Sequence, residues 1–364
     1  MKLLKMTKIL SNFKNKNLDI YIFVPVVFLI IVGIFGVFSV SMRIDNKYDL
    51  LIKKHLIFCV FGLTIIYLFS KLSLKNLIMI SILIFTCSIL LSFSTIFFFP
   101  ETKGANRWIK LFNFSFQPTE VLKPSFIILS SLLLARYNSK KDFSFLINLI
   151  LFTTISIILL RQPDFGMFIL FFSVWILQIF NTQIEKRKIL PILLIFSGAL
   201  ISSYILLDHV KFRINNFLFS NVGDNYQINK SLNSFSNGGF FGQGIGNGEV
   251  SKNLPDAHSD FIYALIGEEF GFITAVSVLI LYFVIYFRIF MISKITNNFF
   301  ILNSLVGLGN ILIFQTIINV SSSLNLMPTK GMTLPFISYG GSSIISSSII
   351  IGFILTLINY AKKE

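Results

Sequence analysis

Ten apolar runs dictate what this chain can become: residues 21–40, 56–69, 77–99, 121–135, 143–160, 165–180, 189–207, 261–287, 299–320 and 342–360. Most approach the roughly 20 residues with which a helix crosses a bilayer. Where lipid replaces water, only helices and closed barrels satisfy their own backbone, and runs this long predict helices. Soluble domains carry about 25% charged residues, whereas this chain carries 13%, against 54% hydrophobic. The expected fold is an all-α polytopic membrane protein of about ten transmembrane helices. Residues 20–361 form a single membrane domain in this reading, between cytoplasmic segments 1–19 and 362–364. A large extracytoplasmic loop, 208–260, separates helices 7 and 8. The second run is short, so its helix is expected to tilt, to lie partly in the interface, or to be helped by Lys53, Lys54 and His55 snorkelling at its start.

Charge suggests the orientation. Residues 1–17 are polar and basic, with Lys2, Lys5, Lys8, Lys14 and Lys16, which predicts a cytoplasmic N-terminus. The apolar run that follows is too long for a cleaved signal and is expected to stay as an anchor. An even number of spans returns Lys362 and Lys363 to the same side. The net charge of +15 is scattered over short loops without an aromatic-interleaved groove, so anionic lipid is the expected counterpart and nucleic acid is not. Cys59 and Cys87 lie in apolar runs, so neither a disulfide framework nor a zinc site is expected.

Three connections, 99–120, 208–260 and 321–341, are too long for turns, and all fall on the expected outer face. The first places Trp108 and Phe112 to lie in the membrane interface while Arg107 and Lys110 meet head groups. The second packs six glycines into residues 237–248. Such a run either cradles phosphate with its amides or forms a flexible or tightly turned external loop. The third, 327–343, holds two prolines and three glycines, so it is either a cavity-lining, non-helical segment or a rigid turn.

Acidic residues are scarce enough to weigh singly. Glu120 opens a span with Lys123 three residues on, a spacing that permits an ion pair. Asp164 and Asp260 stand at helix starts, where a carboxylate can simply cap backbone amides. Asp256, His258 and Asp260, with Glu268 and Glu269 two turns deeper, gather titratable groups where charge is costly. A carboxylate at such a boundary can serve as a general base.

Several motifs coincide in order. They are Gly-Ala-Asn-Arg-Trp-Ile at 104–109, Phe-Gln-Pro-Thr-Glu at 116–120, Gln-Pro-Asp-Phe-Gly at 162–166 and the glycine run. Leu-Pro-Asp-Ala-His-Ser-Asp-Phe-Ile at 254–262, Glu-Glu-Phe-Gly at 268–271, Pro-Thr-Lys-Gly at 328–331 and Leu-Pro-Phe-Ile-Ser-Tyr-Gly-Gly-Ser-Ser at 334–343 follow. From about residue 20 to 360 the chain resembles the SEDS proteins of bacterial shape, elongation, division and sporulation. The Pro-Thr-Lys-Gly wording resembles the FtsW division branch more than the RodA elongation branch.

The resemblance implies a ten-helix peptidoglycan glycosyltransferase that polymerises lipid II in the cytoplasmic membrane, at the septum, beside a class B penicillin-binding protein and other division-complex membrane proteins. It assigns Asp260 as the general base, with Ser259 where the family more often has threonine, Asp256 where it has glutamate and Thr119 where it has serine. Arg107, Lys123, Lys330 or a divalent cation, magnesium or manganese, would then stabilise the departing diphosphate. Trp108 would hold a sugar or the lipid stem, Glu120 would orient Lys123, and His258 and Ser338 would support the site. A lipid flippase and a non-catalytic scaffold are the competing expectations.

Overall fold

The computed structural model describes residues 18–42, 49–101, 105–111, 114–206, 208–219, 226–328 and 331–364. Helices α1 (Ile20–Met42), α2 (Asp49–Ser70) and α3 (Leu74–Phe98) lead into a two-stranded hairpin, β1 (Ile109–Leu111) and β2 (Phe114–Phe116). Then come α4 (Pro118–Lys140), α5 (Ser144–Arg161), α6 (Phe165–Phe180) and α7 (Lys186–Leu206). Two short helices, α8 (Asp208–Leu218) and α9 (Tyr226–Gly238), occupy the long loop, followed by α10 (Ile262–Glu269), α11 (Gly271–Ser293), α12 (Phe299–Ser323) and α13 (Gly341–Ala361).

Among the described residues, eight helices are long and apolar enough to cross a membrane, and Phe165–Phe180 and Ile189–Ile205 are shorter apolar stretches. The helical, multi-pass expectation therefore holds. Local chemistry sets several helix starts: Ser73 accepts from the Asn76 amide of α3, and Asn298 from the Phe300 and Ile301 amides of α12. Pro118 opens α4, where its missing N–H costs nothing.

One expectation needs correction. The run 261–287 is not one span, because the helix breaks at Phe270–Gly271, leaving α10 as a separate buried helix ahead of α11. The connection 99–120 carries a short antiparallel ladder, in which Ile109 pairs with Phe116 and Lys110 with Ser115.

The glycine run explains the break. Gln243 and Gly244 donate their amides to the Glu268 and Glu269 carbonyls at the end of α10, while the Gly239 and Phe240 carbonyls accept from Phe272 and Ile273 at the start of α11. The loop thus satisfies both sets of helix-end groups that the break exposes. Gly242, at φ +81°, lies so close that a Cβ there would meet the Glu269 carbonyl at 2.2 Å. These amides are committed to protein carbonyls, so the run turns tightly and is not a phosphate cradle. Glu268 pins the same region, accepting from the Val250 and Ser251 amides at 2.9 and 2.6 Å and from Asn237 at 2.7 Å.

At the centre stands α13, with 89% of its most apolar stretch buried, flanked by α4 at 83% and α12 at 72%. Helices α2 and α3, at 22% and 28%, form the periphery. Without a hydrophobic drive between helices in lipid, close packing depends on small residues. Accordingly Gly341 sits against the Phe58 ring and Gly352 against Phe69, bringing α13 close to α2.

One end of the bundle is held by ions. Asp19, just before α1, accepts from Arg288 of α11 at 2.9 Å and from Lys362, just past α13, at 2.7 Å. The start of the first described helix and the end of the last therefore share one end. Burial alone would raise the Asp19 carboxyl, but the bonds and charge of its two cations outweigh that and hold it below the usual range.

Candidate active site

A cavity of about 490 Å³ opens at the end of the bundle opposite the Asp19 cluster. It is formed by the first turns of α2, α4, α9 and α13, the last turn of α12, the hairpin, and the segments 256–261 and 331–340. Arg107, Trp108, Glu120, His258 and Asp260, all named from sequence, line it together. Asp256, Lys54, Lys110, Thr333 and Tyr339 join them.

Lys54 and His55 correct the snorkelling expectation. Lys53 is exposed, yet Lys54 lines the cavity and His55 is fully buried, its ring 6.1 Å from that of Tyr339. The first turns of α2 face protein, because α13 packs across them.

The segment carrying Asp260 is held by its main chain. The His258 carbonyl accepts from the Tyr339 amide at 2.9 Å, the Ser259 carbonyl from Ser338 Oγ at 2.6 Å, and the Asp260 carbonyl from Asn319 Nδ2 at 2.9 Å. Three successive carbonyls are thus tied to the 332–339 segment and to α12. The helix α10 has Phe261, not Asp260, at its N-cap. Asp260 stands one position earlier, and its Oδ2 would lie 3.0 Å from a Cβ placed on Gly331.

The segment 331–340 is cavity-lining irregular backbone, the first of the two readings its prolines and glycines permitted. Leu334, Phe336, Ile337 and Ser338 are buried, and Phe336 adopts φ +65°, a conformation that L side chains rarely take. Ser338 Oγ also accepts from the Leu334 amide at 2.7 Å, and the Tyr282 hydroxyl donates to the Pro335 carbonyl. Ser338 does not face the cavity. It holds the two walls together.

Behind Glu120 lies a buried polar chain. Lys123, 1% exposed, donates to Glu120 Oε2 at 2.6 Å and to Gln315 Oε1 at 2.7 Å. Gln315 donates to the Thr333 carbonyl at 2.9 Å, Thr333 and Ser343 share a hydroxyl bond of 2.7 Å, and Ser346 donates to the Glu120 carbonyl. The ion pair expected from the spacing is present. Lys123, however, sits behind the wall and does not line the cavity.

Arg107 has a structural task as well. Its Nε and Nη2 donate to the Gln162 and Pro163 carbonyls at 3.2 and 2.7 Å, and its Nη1 lies 3.5 Å from Asp164 Oδ2. Asp164 also caps α6 by accepting from the Met167 amide at 3.2 Å, as a carboxylate at a helix start does. The hairpin is thereby latched to the α5–α6 turn. Trp108 is half-buried against the cavity. Lys330 and Phe112 lie outside the described residues.

Glu268 and Glu269 do not line the cavity; the Glu268 carboxylate is bonded to Asn237, Val250 and Ser251. Among the described residues no three His, Cys, Asp or Glu side chains converge as metal ligands.

Sequence reasoning missed Gln315 and Asn319. A signal existed: two amides four residues apart inside an apolar span share one helix face, and polar groups there are costly unless bonded.

A family model described as cell cycle protein, FtsW/RodA/SpoVE, matches residues 19–363. Relatives named "Probable peptidoglycan glycosyltransferase FtsW" include one from Riesia pediculicola, 33% identical over 362 residues and covering 95% of each chain. Another, from Buchnera aphidicola, is 35% identical over 346 residues, covering 90% of this chain and 85% of the relative. Among solved structures, a chain of a peptidoglycan synthase complex, described as coordinating polymerization and crosslinking, superposes with TM-score 0.75 at 23% identity, covering 93% of this chain and 98% of that one. RodA of Thermus thermophilus superposes at 0.71 with 22% identity, covering 96% and 99%. With the family model spanning nearly its whole length, the chain belongs to the FtsW/RodA/SpoVE family of cell cycle proteins.

Proposed function

We propose that this protein is a peptidoglycan glycosyltransferase that polymerises lipid II at the outer face of the bacterial cytoplasmic membrane. Its place is septal synthesis during division, beside a class B penicillin-binding transpeptidase and other division proteins. Both termini then face the cytoplasm, and the cavity faces out. The observation that carries the reading is the Asp260 side chain lining a cavity of about 490 Å³ while its main-chain segment is fixed by three hydrogen bonds. The FtsW names of the relatives support the branch and the substrate class.

In the reaction, the 4-hydroxyl of the acceptor sugar loses its proton to Asp260 as its oxygen bonds to the donor's anomeric carbon. The bond from that carbon to the polyprenyl diphosphate breaks, and the diphosphate leaves with the electron pair. One base suffices for this inverting displacement. Charge growing on the diphosphate is met by the cations on the cavity wall, Lys54, Lys110 and Arg107. Lys330 is a further candidate from sequence. Lys123 acts from behind, fixing Glu120.

The test is lipid II polymerisation by the purified protein with its class B partner, comparing wild type with Asp260→Asn. Loss of a general base removes about 100- to 10,000-fold of rate, so glycan strands should vanish while the protein stays folded. Full synthesis by the variant refutes the assignment. Inactive wild type that still moves lipid II across vesicles would favour a transporter.

A further inference from the structure

We propose that Asn319 of α12 is the positioning residue for Asp260, an inference that rests on the general-base reading above. Asn319 is 1% exposed, and its Nδ2 donates to the Asp260 carbonyl at 2.9 Å and to the Met332 carbonyl at 2.6 Å. An amide nitrogen has two hydrogens. Both are committed to carbonyls of two separate irregular segments, neither of which belongs to a helix or strand.

Those segments are the two whose separation matters. One carries the Asp260 carboxylate. The other continues from Gly331, where an added methyl would lie 3.0 Å from Asp260 Oδ2. Asn319 therefore sets both the main-chain origin of the carboxylate and the wall beside it. Gln315, one turn earlier on the same face, donates to the next carbonyl, Thr333. The two amides hold successive carbonyls of that wall, and Asn319 alone of the two also holds Asp260 itself.

The direction of the amide is decided by these contacts. Its Oδ1 is buried and accepts no hydrogen bond among the described residues. A flipped amide would aim that oxygen at two carbonyl oxygens. The residue is placed for its donors, and an isosteric carboxylate at 319 would repel both acceptors.

A general base must lie within hydrogen-bond reach of the hydroxyl it deprotonates, and a displacement of about 1 Å can cost about 100-fold. The test uses the full chain with its class B partner and lipid II. Asn319→Ala should lower kcat by about 100-fold with KM for lipid II within about twofold, the signature of an interaction that acts on the chemical step. Asn319→Ser, which keeps one donor, should fall between, and serves if the alanine variant does not fold. Asn148→Ala removes an equally buried amide, bonded to Trp175 and Ser130 far from the cavity, and should leave kcat unchanged.

Unchanged kcat in Asn319→Ala or Asn319→Ser overturns the proposal. So does a loss confined to KM, or an equal loss of kcat in Asn148→Ala, which would mark a general structural effect. Asp260→Asn separates the two levels. If that variant polymerises lipid II, the general-base reading fails; if it is inactive while Asn319→Ala works normally, only the positioning role fails.

Discussion

Replacing Lys123 with methionine should destabilise this protein more than removing Lys123 and the Glu120 charge together. In the native chain the Lys123 side chain is 1% exposed and that of Glu120 8%, and they meet at 2.6 Å. Lys123→Met keeps the aliphatic bulk but leaves a buried carboxylate without its cation, and Gln315 Oε1 without its donor. Breaking a buried pair from one side costs about 3–5 kcal/mol. In Glu120→Gln/Lys123→Met no charge is stranded. What remains is an orphaned Gln315 oxygen and altered packing, about 1–2 kcal/mol. The double variant should therefore be more stable than Lys123→Met by about 1–4 kcal/mol. Equilibrium unfolding with SDS in mixed micelles reads the order, and the Glu120→Gln single variant completes the cycle. A double variant no more stable than Lys123→Met would refute the view of this pair as a buried, mutually dependent unit.

Three further outcomes follow from the same structure. Gly242→Ala should unfold at lower SDS than Gly239→Ala, because a Cβ at 242 meets the Glu269 carbonyl at 2.2 Å whereas one at 239 meets nothing within 4 Å. Both replacements share the strain of positive φ, about 1 kcal/mol. Asp164→Ala should cost about 1 kcal/mol as a lost helix cap and leave Arg107 held only by the Gln162 and Pro163 carbonyls, a loosening that limited proteolysis would detect as faster cleavage within 105–116. Asp19→Asn should weaken the protein by about 1 kcal/mol at neutral pH, its cations being partly exposed. Because the folded carboxyl of Asp19 titrates below the unfolded one, its contribution is present above the ordinary carboxylate value and fades as pH falls through the folded one. The variant should show a shallower acid-side loss of stability, and an unchanged acid slope would count against the Asp19 cluster.

Much of the site was legible because its chemistry is local. The Glu120–Lys123 pair follows from helical spacing, and the capping role of Asp164 from its place before an apolar run. Asp260 stood out as a carboxylate at an apolar boundary, although its sequence position alone also suited a cap. The structure moved the cap to Phe261. Lys123 was legible as a partner of Glu120, but whether it faced substrate or core depended on Gln315, 192 residues away.

The sequence by itself determined the medium, the helical class and the ten apolar segments, because hydropathy and helix length report on each segment's own demand for lipid. Tertiary structure decided where that demand was overruled. The break between α10 and α11 exists because amides and carbonyls of the glycine run, nearly thirty residues earlier, satisfy the helix ends it exposes. The inward turn of Lys54 and His55 exists because α13 covers that face of α2. The pair Gln315 and Asn319 marks a polar face, but what Asn319 does there shows only when Asp260 and Met332 arrive from two other segments to accept its two hydrogens. A buried polar group reveals its role only through its partners, and here those partners are distant in the chain.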